Sequence, residues 1–347
     1  MFHVEHKESI LNYTLPELQQ KLTPAFRAKQ VYNWLYTKYV DDFSFMKNLP
    51  KDLIQNLHES YQIHPLKEIK KEISSDGSIK YLFGLHDNHT VETVLLDMKK
   101  DRYTICVSTQ VGCKVGCSFC LTAKGGFVRN LEAAEIIDQV LQIKKDMNFP
   151  SEKRLNIVYM GMGEPLDNFD NLVQAINIFK QEDGLAIGPK RQTVSTSGIS
   201  NKIDRLGELD LGVHIAISLH AVDDELRSQI IPMNKAYNIG SIIEAIKKYP
   251  IDNRKRVMFE YLVMRGVNDD IASAKKMVKL LDGIKAKVNL IYYNPYPGGE
   301  YERPLESDMV AFQEYLISKG LMCTIRASKG LDISAACGQL REKNIEG

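Results

Sequence analysis

Three cysteines fall within eight residues of the chain, Cys113, Cys117 and Cys120, in the stretch STQVGCKVGCSFCLTAKGGF with spacing C-x3-C-x2-C. In a reducing compartment clustered cysteines bind metal or do chemistry more often than they form structural staples. A structural metal site normally wants four ligands, and a cubane iron–sulfur cluster has four metal corners. Three thiolates on a four-iron cluster leave one iron open, and an open metal position is where a ligand can be bound and changed. A zinc site completed by the distant Cys106 or Cys337 is the main alternative. A group of buried thiols without metal is the third reading.

Other small, polar or glycine-rich segments recur downstream. GMGEP (Gly161 to Pro165), STSG (Ser195 to Gly198), SLHA (Ser218 to Ala221) and YYNPYPGG with Asn294 each follow an apolar, β-branched run. Those runs predict strands at 104–109, 155–160, 191–196, 213–219, 257–263 and 287–292, with a seventh short one from Met322 to Arg326. Helical patterns separate them. One covers 131–147, with Asn130 as the expected cap and Glu132 in the first turn; another covers 169–181, with Leu172, Ala175, Ile176 and Phe179 on one face and a stop near Gly184. Six strand–helix units predict a parallel α/β sheet, open or curled into a barrel, with ligands at the carboxyl ends of its strands. Five of the unusual segments, the cysteine cluster included, then share one rim.

Each segment also has a plainer reading. Gly161 and Gly163 serve a tight turn, against close approach of backbone to a ligand with Glu164 taking an ammonium group. Ser195 is a strand-end hydroxyl, His220 a satisfied, partly buried histidine, and Asn294 turn chemistry before Pro295. Met160 and Met162 read as packing. One such segment is an ordinary turn; five on one rim point to a single site.

The rest of the chain must position that rim. Residues 1–65 read as a small, separate helical domain: PELQQKL with proline in its first turn, AFRAKQVYNWLYTKYV with apolar residues near helical spacing, and LPKDLIQNLHESY. Tyr32, Trp34 and Tyr36 could stack bases, but aromatics in a small domain are more often core. Residues 66–103 alternate around an Asp76-Gly77 turn and predict a β-hairpin that joins this module to the main unit, 104–347. A net charge of +1 gives no whole-molecule steering toward nucleic acid. Lys114, Lys124 and Arg129 near the cysteines, Lys190–Arg191, Arg254–Lys255–Arg256, and Arg326 with Lys329 are short basic groups, each most simply a solvated face. No apolar run reaches membrane-spanning length, and the polar N-terminus lacks a signal-peptide core, so a cytoplasmic protein without membrane contact is expected.

The cysteine spacing, with Phe119 directly before the third cysteine, resembles the signature of the radical S-adenosylmethionine (SAM) superfamily. VSTQVGCKVGCSFCLTAKGGFVRNL, VYMGMGEPLDN, VSTSGI, AISLHA, NLIYYNPYPG and DISAACGQL further resemble, in order, the dual-specificity RNA adenine-C2 methyltransferases of the RlmN type, from about residue 9 to residue 340. Glu132 departs from a capping threonine that many members carry, with only a local stability effect expected. The resemblance implies a partial (βα)6 TIM-like barrel of the radical SAM type, with a helical N-terminal RNA-binding domain and a β-hairpin extension. It implies one [4Fe-4S] cluster per chain on Cys113, Cys117 and Cys120. It assigns SAM binding to Gly163, Glu164, Ser195, Ser218, Leu219, His220 and Asn294.

The implied reaction follows from the substrate. Adenine C2 is electron-poor and will not attack a sulfonium methyl, so a 5′-deoxyadenosyl radical generated from SAM is used instead. By resemblance, Cys337 in AACGQL first takes a methyl from one SAM, and a second SAM yields the radical that activates this S-methylcysteine toward adenine C2. Cys106 matches the resolving partner, which helps remove the C2 proton and forms a transient disulfide with Cys337. Glu92 in VETV matches a residue assigned as proton acceptor; the sequence leaves open which of Cys106 and Glu92 takes the proton. Their plainer readings are a core cysteine and a hairpin salt-bridge residue. Arg326 or Lys329 could favour the reactive thiolate of Cys337. Cys323 matches no role. The glycines and small residues of SKGLDISAACGQ suit a mobile loop that swings Cys337 between tasks. Implied substrates are an adenosine in the peptidyl-transferase region of 23S rRNA and the adenosine 3′ of the anticodon in some tRNAs, both loop bases that can be splayed out. A flavodoxin-type electron donor and a monomeric chain are expected. The rivals are a C8-specific enzyme of the same superfamily, from which Pro165 and GGFVRNL favour the C2 group, and a non-enzymatic metal-binding RNA module.

Overall fold

A computed structural model describes residues 7–98, 102–149, 154–252 and 255–341. Arg254 of the basic triplet lies outside the described residues. Ten strands form one sheet: β1 (Lys67–Ile73), β2 (Ile79–Gly84), β3 (Thr90–Asp97), β4 (Arg102–Cys106), β5 (Arg154–Tyr159), β6 (Gln192–Thr196), β7 (His214–Ser218), β8 (Val257–Val263), β9 (Ala286–Tyr292) and β10 (Met322–Arg326). They pair strictly in chain order. Each of the first four is antiparallel to its neighbour among them. From β4 to β10 every pairing is parallel.

Parallel neighbours need a crossover, and each of the six here carries at least one helix. In chain order these are Ala133–Asp146, Phe169–Phe179, Ser200–Glu208, Asp224–Ile230 with Ile239–Lys248, Ile271–Leu280 and Glu306–Ser318. The sheet also curls. Residues from β3 through β10 line one cavity, whereas eight strands laid flat would span about 34 Å at roughly 4.8 Å per interval. β1 and β10 do not pair, which leaves the barrel partial and open, as the fold expectation holds.

Two local expectations change. Asn130 does not cap the first crossover helix. It ends a short strand, Phe127–Asn130, paired to Gln110–Gly112, and its side chain accepts from Gln110 Nε2 at 2.9 Å. Glu132 is the cap residue instead: its N–H donates to the Glu135 carboxylate (2.9 Å), a capping-box contact, and its own carboxylate accepts from Asn12 Nδ2 (3.0 Å). The hairpin around Asp76-Gly77 forms, but a third strand, β3, follows it, so the extension continues the main sheet rather than bridging to it.

Nor does the helical N-terminal segment have a core of its own. Leu18, Val31, Tyr32 and Leu35 belong to the same contiguous apolar cluster as the barrel residues Ile105, Ile157 and Ile217. Polar contacts stitch it down: Asn12 Oδ1 accepts from Ala134 N–H (2.8 Å), and the buried Asp138 accepts from Leu66 N–H (3.1 Å) and bonds His64 Nδ1 (2.5 Å). Tyr32 and Tyr36 are fully buried, while half-buried Trp34 donates to Asn48 Oδ1 (2.6 Å). The core reading of this aromatic group prevails. Among the described residues no helix is long and apolar enough to cross a membrane.

Candidate active site

A cavity of about 370 Å³ opens at the carboxyl ends of the parallel strands, within the range of small-molecule sites. Cys113, Cys117 and Cys120 all line it, from the loop that follows β4. Behind them stand Val115, Phe119, Ile230, Ile231, Leu262 and Met264, an apolar shell that keeps water off the thiols. Burial pushes the Cys113 thiol up to about 12 and raises Cys117 and Cys120 as well. Such thiols stay protonated until a metal displaces the proton. Among the described residues no three Cys, His, Asp or Glu side chains are gathered as ligands of one ion. The three thiols share the wall of a cavity, a donor set that suits an inorganic cluster in which each thiolate takes its own iron.

Polar groups without protein partners complete the cavity. Ser197 Oγ, Glu260 Oε2 and Asn294 Nδ2 are buried, lack hydrogen-bond partners among the described residues, and belong to lining residues. Buried polar atoms are nearly always satisfied, so these three mark where a ligand bearing both donors and acceptors belongs. Glu164 follows β5. Its carboxylate accepts from Leu166 N–H (3.1 Å) and Ser197 N–H (2.7 Å), two of its roughly four acceptor sites. Burial raises its carboxyl above the usual range. Asn294 is held by Arg303 Nη1 and Ser328 Oγ, both donating to its Oδ1 at 2.9 Å, which turns its amide nitrogen free. Ser195 and Ser218 line the cavity from the ends of β6 and β7.

His220 is buried in the left-handed backbone region (φ 57°) and its ring meets Phe119 edge-on at 5.0 Å. Its Nδ1 accepts from Leu262 N–H (2.9 Å), which assigns the proton to Nε2. Burial pushes its pKa down to about 3, so it is a neutral donor at any physiological pH. Leu219, by contrast, does not line the cavity. Its side chain is in the core, its N–H donates to Glu260 O (3.0 Å), and its carbonyl accepts from Arg227 Nε (3.0 Å).

Gly161 and Gly163 line the cavity, yet the space a side chain would need is filled by protein. A Cβ on Gly161 would meet Ser108 Oγ and the Val107 carbonyl at 2.7 Å; one on Gly163 (φ 102°) would meet Gln110 Cβ at 2.5 Å and its backbone nitrogen at 2.8 Å. Packing against the segment after β4 therefore requires these glycines, while their backbone still faces the cavity. Gly163→Ala is expected to destabilise the protein by about 3 kcal/mol, from overpacking and a disfavoured φ. Denaturant midpoints of the metal-free protein test this. Met162 is packed as expected, but Met160 lines the cavity.

Cys106, Arg326, Glu260 and Cys337 face the same cavity from β4, β10, β8 and the loop after β10. Burial pushes the Cys106 thiol up to about 12, with Cys337 adding to the rise and Arg326 opposing it. Arg326 is raised chiefly by Cys337, which makes it the facing cation, and Lys329 lines the cavity too. All six cysteines are free thiols; Cys323 is buried and Cys337 exposed. Glu92 stands apart from the cavity lining. It is buried in β3, with Lys80 Nζ at 3.1 Å and Arg341 N–H donating to it at 2.8 Å.

The basic residues beside the cluster are occupied. Lys114 pairs with Asp167 (2.8 Å), Lys124 donates to Gly298 O (3.1 Å), and Arg129 bridges Asp87 and Glu135. Two site residues escape sequence reading. Arg227 resembles a solvated helix residue in DELRSQI but is fully buried, donating to the carbonyls of Ser197 (2.5 Å), Ser218 (3.1 Å) and Leu219 and so fixing the ends of β6 and β7. Glu260 does leave a signal: a lone charge inside the apolar run VMFEYLV, at the strand face that points inward.

Comparison with known proteins agrees with this geometry. The family model described as "Radical SAM superfamily" matches residues 107–278, and that of the "Ribosomal RNA large subunit methyltransferase N-terminal domain" matches residues 10–63. The dual-specificity RNA methyltransferase RlmN of Sulfurimonas denitrificans is 66% identical over 97% of this chain and 98% of its own. That of Aliarcobacter butzleri is 63% identical over 98% of each. The crystal structure of a radical SAM methyltransferase from Sphaerobacter thermophilus superposes with a TM-score of 0.92 at 40% identity, covering 96% of this chain and 99% of that one.

Proposed function

This chain belongs to the RlmN family of dual-specificity RNA methyltransferases within the radical SAM superfamily, and from that premise we propose that it builds a methyl group onto C2 of adenosine in RNA through Cys337. The observation that carries the reading is the meeting of Cys113, Cys117, Cys120, Cys106 and Cys337 on one cavity. The first three hold a [4Fe-4S] cluster. Glu164, Ser195, Ser197, Ser218, His220 and Asn294 hold SAM, with Glu164 as acceptor for its ammonium and Asn294 Nδ2 as a donor. When bound, the cluster and SAM supply a 5′-deoxyadenosyl radical, the hard chemistry that an electron-poor aromatic carbon requires.

The chain's own residues do the rest. Cys337, facing Arg326, takes a methyl by displacement from one SAM and carries it as S-methylcysteine. Loss of one hydrogen from that methyl lets its carbon bond to adenine C2, so RNA and protein are joined through Cys337. The buried wall keeps water from the open-shell carbon. Addition to C2 leaves an unpaired electron on the ring, which passes back to the bound cluster while Cys106, as its thiolate, accepts the C2 proton. Cys106 then gives up that proton, and its sulfur bonds that of Cys337 as the S–CH2 bond breaks. The released methylene takes up a proton to become the methyl of the freed base, and the electron donor reduces the Cys106–Cys337 disulfide before the next turnover. Arg227 keeps the segments after β6 and β7 in place throughout.

The substrates are the peptidyl-transferase adenosine of 23S rRNA and the adenosine 3′ of the anticodon in some tRNAs. Residues 1–65 and the extension 66–103 grip the RNA. A flavodoxin-type donor, a monomeric chain and a cytoplasmic setting complete the proposal. The test is anaerobic reconstitution with iron and sulfide, followed by incubation with SAM, a reductant and unmodified rRNA and tRNA fragments. Four irons per chain and 2-methyladenosine in the nucleoside digest are expected. 8-Methyladenosine would move the chain to the C8 group, and RNA binding without any new nucleoside would leave only a metal-binding RNA module.

A further inference from the structure

The loop that carries Cys337 is fastened on both sides. Upstream, Gly330 N–H donates to Asp76 (2.9 Å), while Ser74 Oγ and Ser75 N–H donate to Asp332 (2.5 and 2.9 Å), so two aspartates clasp the loop to the β1–β2 turn. Downstream, Leu121 N–H donates to Gly338 O (2.8 Å), Thr122 Oγ1 to Leu340 O (2.6 Å), and Arg341 N–H to Glu92 Oε2 (2.8 Å). The other Glu92 oxygen takes Lys80 Nζ (3.1 Å), and Lys80 also reaches Glu72 (3.4 Å). Glu92 and Lys80 are 1% and 4% exposed.

We propose that Glu92 is a positioning residue, the downstream anchor of the Cys337 loop, rather than the acceptor of the C2 proton. This rests on the family reading above. A general base needs a lone pair within reach of the proton it removes. Glu92 shares the inward strand face of Val94 and Leu96, which line the cavity, but it does not line the cavity itself. One oxygen takes a buried ammonium and the other the backbone N–H four residues beyond Cys337; lone pairs remain, but none of them faces the cavity as part of its lining. That arrangement spends the carboxylate on placing a loop. The cavity already holds a better-placed acceptor, Cys106. Lys80 holds the carboxylate toward Arg341, so the pair acts as one fastener.

The two roles separate in the Lys80→Met/Glu92→Gln double variant. The amide keeps a carbonyl oxygen for Arg341 N–H and no longer needs the ammonium, but it cannot accept a proton. Anchoring predicts turnover within about tenfold of wild type, no build-up of protein–RNA adduct, and S-methyl occupancy of Cys337 close to wild type by mass spectrometry. Glu92→Ala, which removes the acceptor, should lose most of that occupancy and speed alkylation of Cys337 by iodoacetamide about tenfold or more, with the iron content unchanged. Accumulation of adduct in the double variant, or turnover as low as in Glu92→Ala, would overturn the anchor role. If Glu92→Ala fails to fold, the double variant alone decides. Absence of 2-methyladenosine from the wild-type control would instead count against the family activity.

Discussion

Cys337→Ala is expected to yield a protein that assembles its cluster and binds SAM but forms no 2-methyladenosine. Cys337 lines the same cavity as the three cluster cysteines without being one of them, and the apolar shell behind those thiols does not include it. Metal loading should therefore survive. The reaction should not, because the side chain that first carries the new carbon is gone, and adenine C2 cannot take a methyl directly from a sulfonium. Losing a covalent nucleophile costs about 10³-fold or more, so turnover should fall below detection. Iron and sulfide analysis beside nucleoside mass spectrometry reads both halves of the expectation. Alanine is smaller than cysteine and the loop is exposed at this point, so misfolding does not offer a second explanation.

The counterpart is Cys106→Ala, which should stop the reaction one stage later and leave RNA covalently attached to the protein through Cys337. A shifted band on a denaturing gel, sensitive to both ribonuclease and protease, is the expected signature. Its absence under turnover conditions would remove Cys106 from the release step. The wild-type release rate should also carry a pH dependence of definite sign. Burial pushes the Cys106 thiol up to about 12. Only its thiolate can accept a proton, so the reactive fraction grows about tenfold per pH unit well below that value. Release should accelerate steadily between about pH 7 and 9. A carboxylate base with an ordinary pKa would give a flat profile over the same interval, which makes single-turnover release a direct comparison of the two.

Much of this site is legible in the sequence, and the reason is periodicity. β8 and β10 lie where Val257–Val263 and Met322–Arg326 alternate or run apolar, and the segments that end β5, β6 and β7 reach the cavity because parallel strands all aim their carboxyl ends one way. What local pattern misses depends on partners distant in the chain. Asn130 has the composition of a cap but is claimed by Gln110 across a strand pair. Gly161 and Gly163 face the cavity, but nothing local shows that Val107 and Gln110 pack against them and forbid a side chain. Nothing in DELRSQI signals that Arg227 is buried, since its acceptors, the carbonyls of Ser197, Ser218 and Leu219, come from elsewhere. The N-terminal helices read as independent because sequence shows that they are amphipathic, not which surface they cover.

The ten strands join their sheet in the order in which they are made, and that has a bearing on biosynthesis. Each new strand emerging from a ribosome can add to the edge left by its predecessor, without waiting for a later one to be inserted between them. The last to be laid down, β10, brings Arg326 and, in the loop after it, Cys337 to the cavity. The nascent protein thus makes the strand-end wall that carries Cys113, Cys117 and Cys120 early, and closes the cavity with Arg326 and Cys337 only when its last strand is in place.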